Sequence, residues 1–202
     1  VPSVTSKMLD NSIAYIQIST FGDSTANDLH KALSTLMAQN PKGLILDLRN
    51  NGGGYLDTGI SVASEFIASG IIVSEKAGDG TLTPFKATSG GLATSKSLPM
   101  IVLVNAYSAS ASEIVAGALQ DTGRARLLGE TTYGKGTVQN WVPLSGEQGA
   151  VRVTIARWLT PNGNTIDQKG LTPEIVVTMT VDDIKANLDP QLDAAVKQLT
   201  HP

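Results

Sequence analysis

The 202-residue chain has no cysteine, only two histidines and few aromatic residues. Without cysteine, thiol nucleophiles, disulfides and thiolate-bound metals are excluded together, although no compartment follows, because cysteine-free proteins occur on both sides of a membrane. His30 sits in a helical pattern and His201 is penultimate, which leaves little from which to build a Ser-His-Asp triad or a histidine-rich zinc site. The plainer reading of each is a surface residue. No run approaches the roughly 18 to 20 apolar residues of a membrane-spanning helix, and no basic start followed by an apolar stretch opens the chain. The net charge is −3 and the pI about 5.3, with lysine and arginine scattered singly. That distribution disfavours nucleic acid or an anionic membrane as partner and favours a neutral or peptide-like substrate.

Apolar residues are spread evenly enough for one ordinary domain with a sizeable core. Residues 4–8 and 13–19 are strand-like around the turn chemistry of Leu9-Asp-Asn-Ser12 and predict a hairpin. Thr25-Ala-Asn-Asp28 has the capping-box pattern, and Leu29, Leu33, Leu36 and Met37 then recur at helical spacing as far as Pro41. Gly43-Leu-Ile-Leu-Asp-Leu48 reads as a buried parallel strand and residues 57–68 as a helix. Strands over 70–75 and 81–87 come next, then a polar surface loop over 88–97. Pro99-Met-Ile-Val-Leu-Val104 is the clearest buried strand, followed by a helix over 111–119. After Leu127-Leu128 the βα alternation gives way to strands over 137–144 and 150–159, separated by Ser145-Gly-Glu-Gln-Gly149. A last strand over 175–179 precedes one or two helices broken at Pro190.

Three stretches can carry chemistry. Gly129-Glu-Thr-Thr-Tyr-Gly-Lys135 imitates a phosphate-binding P-loop, but Gly136 stands where the hydroxyl belongs and strand-like sequence follows in place of a helix. A lysine between two glycines can instead serve as a general base, provided burial or a cationic neighbour keeps it neutral; a solvated loop lysine is the bland alternative. Ser110-Ala-Ser-Glu113 matches a helix capping box, yet a helix amino end also offers N–H groups and a positive dipole to a developing oxyanion. Gly52-Gly53-Gly54 lies after a buried strand, where open α/β sheets place ligands, and it serves equally as a tight turn or as a donor to an oxyanion.

Four ordered blocks cover most of the chain: Arg49-Asn-Asn-Gly-Gly-Gly-Tyr55; Asn105-Ala-Tyr-Ser-Ala-Ser-Ala-Ser-Glu-Ile114 with Ala116-Gly-Ala-Leu-Gln-Asp121; Gly129-Glu-Thr-Thr-Tyr-Gly-Lys-Gly-Thr-Val-Gln139; and Thr160-Pro-Asn-Gly163 with Gly170-Leu-Thr-Pro-Glu-Ile175. Together they resemble the carboxyl-terminal processing (tail-specific) proteases of serine peptidase family S41. The resemblance implies an α/β fold with a crotonase/Clp-protease-like ββα core, additional antiparallel strands and a C-terminal helix. It also implies a serine endopeptidase with a Ser/Lys dyad and an acyl-enzyme, in which Ser110 is the nucleophile, Lys135 its base and Gln139 the residue that orients the lysine. The oxyanion hole would come from the N–H of Ala111 and from the glycine run, Gly54 first and Gly53 second, with Glu113 in a supporting role. No cofactor or metal is implied. The substrate would be a protein or peptide with a nonpolar C-terminal tail, and the setting extracytoplasmic: periplasm, cell envelope or thylakoid lumen. Family members carry a helical arm and a PDZ domain ahead of this core, so the expectation for residues 1–202 is a single catalytic core domain without them. A second reading stays beside the first, a gated or incompetent peptide-binding core that holds Ser110 and Lys135 apart.

Overall fold

A computed structural model describes residues 2–144 and 149–201. The expected hairpin forms from β1 (Val4–Leu9) and β2 (Ile13–Ile18), paired Val4 to Ile18 through Leu9 to Ile13, with Asn11 left-handed in the turn. The helix α1 (Thr25–Met37) buries Leu29, Leu33 and Leu36 as the spacing requires. Its expected capping box is not made: Ser24 precedes the helix without a side-chain cap, and Thr25 is already its first residue. The Thr25 hydroxyl is occupied by the preceding turn, accepting from the Gly22 N–H at 3.0 Å and donating to the Thr20 carbonyl at 3.1 Å.

From there the chain builds a parallel sheet. β3 (Gly43–Asp47) pairs with β2, and after α2 (Leu56–Ser64) and the antiparallel pair β4 (Ile71–Ala77) and β5 (Leu82–Lys86), β6 (Met100–Val104) pairs with β3. The helix α3 (Ala111–Asp121) returns the chain to β7 (Arg126–Gly129), beside β6. The strands β8 (Thr137–Pro143) and β9 (Ala150–Leu159) join β4 and β5, while β10 (Ile175–Val176) extends the first sheet. Among the described residues the order is β1-β2-β3-β6-β7-β10 in one sheet and β5-β4-β9-β8 in the other. The separating turn expected at 145–149 lies, but for Gly149, outside the described residues; the Gly149 carbonyl accepts from the Leu144 N–H at 2.9 Å.

Alternation along the parallel strands explains why they read as continuous apolar runs. Ala14, Ile16, Leu44, Leu46, Val102 and Leu127 join one core with the buried faces of α1, α2 and α3. Ile13, Ile45, Ile101, Leu103 and Leu128 face the other way, against Ala195 and Leu199 of α5 (Pro190–Thr200). The end of the chain thus folds as two helices, α4 (Val181–Lys185) and α5, and Pro190 begins the second. At the first helical position its missing N–H removes no helical bond.

Polar contacts pin α5 to the sheet. The Arg49 guanidinium, just past β3, bonds both oxygens of buried Asp47 and both of Asp189, and reaches Gln191. Asp189 also caps α5 through the Leu192 N–H at 2.9 Å. Partial burial works against the Asp189 charge, but the Arg49 and Leu192 hydrogen bonds outweigh it and hold its pKa below the ordinary carboxylate value. A carboxyl depressed by folding contributes stability above its unfolded pKa of about 3.9 and loses it as pH falls through the folded value. Asp189→Asn, which keeps a good helix cap, is therefore expected to lower the urea midpoint at pH 7 and to converge on the parent only as pH falls through the lowered folded-state pKa of Asp189.

Candidate active site

The three alternating serines have different fates. Ser108 and Ser112 are both 0% exposed. Ser108 donates to the Leu48 carbonyl at 2.8 Å and accepts from the Asn105 N–H, while Ser112 donates to the Asn51 carbonyl at 2.8 Å. Their hydroxyls staple the turn after β6 to the turn after β3. Ser110 lies between them with φ 56° and ψ −117°, a left-handed conformation that costs a non-glycine residue roughly 1–3 kcal/mol and persists only where its surroundings enforce it. The glutamate half of the expected capping box forms, with the Ser110 N–H donating to Glu113 Oε2 at 2.9 Å. The serine half is present as a capping-box contact between the Ser110 side chain and the Glu113 N–H, although that N–H makes its hydrogen bond to the Ser110 carbonyl and the hydroxyl accepts no full cap hydrogen bond.

Glu113 is 0% exposed and serves more than its helix. Its Oε2 accepts from the N–H groups of Ser110 and Lys135, each at 2.9 Å, and its Oε1 from the Gly134 N–H and the Thr132 hydroxyl, each at 2.6 Å. One carboxylate therefore joins the serine turn to the lysine loop. Thr132 extends the network by accepting from the Leu171 N–H at 2.7 Å, and its own N–H bonds the Leu171 carbonyl. The lysine loop leads from β7 into β8, a strand, as expected from its β composition.

The glycine run is stitched to the same turn. Asn50 and Asn105 exchange hydrogen bonds, and the buried Asn51 accepts from the Ala109 N–H at its carbonyl while its side chain donates to the Ile18 carbonyl. Asn51 Oδ1 takes the Gly53 N–H at 2.9 Å. A Cβ on Gly53 would lie 2.8 Å from the Ser110 Cβ, and one on Gly54 would lie 2.2 Å from the Phe21 carbonyl oxygen. Glycine at both positions follows from this close approach of three chain segments. Among the described residues neither the Gly54 N–H nor the Ala111 N–H, the first of α3, is paired with an acceptor.

These segments enclose one cleft of about 220 Å³. Ser110, Ala111 and Gly54 form one side, Lys135 and Gln139 another, and Leu56, Ile114, Val138 and Trp158 supply apolar lining. The Trp158 ring is set by an edge contact with Phe85, centroids 6.2 Å apart. Lys135 and Gln139 are exposed. Among the described residues no hydrogen bond joins Ser110 to Lys135, or Lys135 to Gln139. Neither histidine lines the cleft: His30 Nδ1 lies 2.6 Å from Glu65 Oε1, and His201 is beside Thr200. Sequence reading assigned no role to Asn51 or Thr132. An asparagine before glycines does signal side-chain bonding to the backbone two residues on, which is the Asn51–Gly53 contact, but nothing local announces Thr132.

Residues 12–177 match the sequence profile of peptidase family S41. The chain is 45% identical over 174 residues to a carboxy-terminal-processing protease of Bartonella bacilliformis, covering 84% of this chain and 39% of that protein. It is 40% identical over 174 residues to the carboxy-terminal processing protease CtpB of Bacillus subtilis, covering 85% and 35%. The chain thus spans well under half the length of these relatives. Among solved structures it superimposes on a photosystem II D1 C-terminal processing protease with a TM-score of 0.79 at 33% identity, covering 88% of this chain and 49% of the other. The tricorn protease shares the fold, with a TM-score of 0.62 at 22% identity.

In Glu113→Gln, an amide NH2 replaces one acceptor oxygen and meets two of the four donors with a further donor. Expected is a loss of about 2–3 kcal/mol in urea unfolding, and a loss of similar size for Thr132→Val, which removes a hydrogen bond to the carboxylate and leaves the Leu171 N–H without its acceptor.

Proposed function

The chain belongs to peptidase family S41, and we propose that it is a serine endopeptidase cleaving proteins or peptides at or near their C-terminal tails through a Ser110/Lys135 dyad. The observation that carries this reading is the selection among the three serines: two are buried as staples, and the third, at the cap of α3 in a left-handed turn, shares a cleft with Lys135.

In this mechanism the Ser110 hydroxyl attacks the scissile carbonyl while the Lys135 amine takes its proton and passes it to the leaving amine. The negative oxygen of the tetrahedral intermediate accepts from the N–H groups of Gly54 and Ala111, both at the cleft and neither paired among the described residues. Gly53 is the poorer donor because its N–H is engaged by Asn51. Water, activated by the same lysine, then releases the acyl-enzyme. Gln139 orients the lysine amine. The Ser110–Lys135 hydrogen bond forms in the substrate complex, where a bound peptide covers the exposed amine, since catalytic hydrogen bonds commonly tighten only once substrate is present. The apolar lining favours a nonpolar tail. The setting we propose is extracytoplasmic, in keeping with relatives from Arabidopsis thaliana named as chloroplastic.

The missing Ser110–Lys135 hydrogen bond favours one second reading, a peptide-binding core that requires a further segment to bring the two together. Mass-spectrometric analysis of an unfolded protein with a nonpolar tail separates them. The peptidase reading expects cleavage by the parent chain and at least about a 1,000-fold loss in Ser110→Ala and Lys135→Ala. Equal cleavage by the variants defeats the assignment, and peptide binding without turnover by the parent selects the second reading.

A further inference from the structure

Two arginines, Arg49 and Arg124, are largely buried, and they are neutralised differently. The Arg49 guanidinium lies between the carboxylates of Asp47 and Asp189. Arg124, only 5% exposed, has no carboxylate partner among the described residues. Its hydrogen bonds go to main-chain carbonyls: Nε and Nη2 to Ala93 at 3.2 and 2.8 Å, and Nη1 to Leu98 at 3.1 Å. A guanidinium has five N–H groups, so one on each terminal nitrogen is left without an acceptor among the described residues. Burial pushes the Arg124 pKa down, and no neighbouring charge opposes it. A buried cation held by neutral partners alone carries a desolvation cost that an anion would offset.

The end of α3 brings Arg124 to this place. Gly123 takes a left-handed φ of 61° and turns the chain back, and the Arg124 N–H then bonds the Leu119 carbonyl at 2.9 Å. Beside it the exposed Lys96 ammonium donates to the Thr122 carbonyl at 2.7 Å, a cation on the last carbonyls of a helix. Arg124 and Lys96 both line a cavity of about 280 Å³, together with Phe66, Ser69 and Thr94. The Ser69 and Thr94 hydroxyls make no hydrogen bond among the described residues, and no carboxylate lines the cavity. The acidic residues that adjoin its lining in sequence are engaged elsewhere, Glu65 with His30 and the Leu92 N–H, and Asp121 with the Asn162 N–H. The segments that carry Lys96 and Arg124 precede β6 and β7, whereas Ser110 and Lys135 follow those strands, so the cavity lies at the other end of the sheet from the cleft.

We propose that this cavity binds a phosphate group, held by the two remaining N–H groups of Arg124, the Lys96 ammonium and the Ser69 and Thr94 hydroxyls. Two cations and no acid suit the charge of about −1.5 to −2 that a phosphate group carries at pH 7 better than the single charge of a carboxylate. The planar guanidinium presents its N–H groups in the fork that phosphate oxygens match. Once bound, the anion bridges the segment before β6, the end of α2 and the turn after α3. It stabilises the fold by binding only the folded chain and takes no part in the chemistry at the cleft.

Titration calorimetry of the 202-residue chain with inorganic phosphate at neutral pH and constant ionic strength tests the site, with sodium acetate titrated in parallel. Expected is one saturable phosphate site with a Kd of about 1 mM or tighter, and acetate weaker by about tenfold or more, the scale of one charge-assisted hydrogen bond. Arg124→Gln is expected to abolish binding. Because that change touches a buried residue, Lys96→Gln, at an exposed side chain, carries the test: it is expected to fold as the parent does and to bind phosphate about tenfold more weakly. The urea midpoint should rise with phosphate in the parent and rise less in Lys96→Gln. Absence of saturable phosphate binding, equal affinity in Lys96→Gln, or acetate binding as tightly as phosphate overturns the proposal. Glycerol phosphate separates the sources of the group: tighter binding than inorganic phosphate identifies a phosphate ester, weaker binding the free ion, and either result supports the site.

Discussion

The site depends on one buried carboxylate. Glu113 accepts four hydrogen bonds from two segments far apart in the chain, the serine turn and the lysine loop, and buries its charge completely while doing so. An ionised carboxylate out of water is costly unless its lone pairs are satisfied. Three backbone N–H groups and a hydroxyl satisfy these, and the desolvation cost holds the loops together, because moving either one away leaves the charge short of donors. The distance between the cleft walls is therefore set by hydrogen bonds to an atom that need not touch substrate.

Around that carboxylate the fold supplies rigid supports. The turns after β3 and β6 lie at the same ends of neighbouring parallel strands, the position where α/β sheets present their functional loops. Ser108, Ser112 and Asn51 cross-link them with side chains that are themselves buried. Arg49, at the start of the glycine turn, ties its base to α5 on the opposite face of the sheet. Enforced from several sides, Ser110 keeps a backbone conformation it would not choose alone.

Local patterns located most of the elements. The hairpin, α1, the buried strands and α3 follow from periodicities of two and 3.6 and from turn residues, which act over a few positions. Where local rules erred, a competing contact won. The Thr25 hydroxyl was drawn to Gly22 and Thr20, away from the cap that the pattern assigned to it. The membership of Gly54, Ser110, Lys135 and Gln139 in one cleft was legible through the order of the four motif blocks, whereas Thr132 became visible only when Leu171 was brought against it.

By itself the sequence narrowed the kinds of chemistry open to this protein: it has no cysteine for thiol chemistry, and its two histidines lie outside any motif. It also determined the order of strands and helices, because hydrophobic period and turn chemistry are local. The motif blocks already singled out Ser110 and ranked Gly54 above Gly53 by resemblance; only the tertiary structure decided that Ser108 and Ser112 are buried as staples and that the Gly53 N–H is taken by Asn51. Those outcomes depend on where each hydroxyl and amide finds its hydrogen-bond partner. The partners of the two serines lie tens of residues away, beyond the reach of any local pattern.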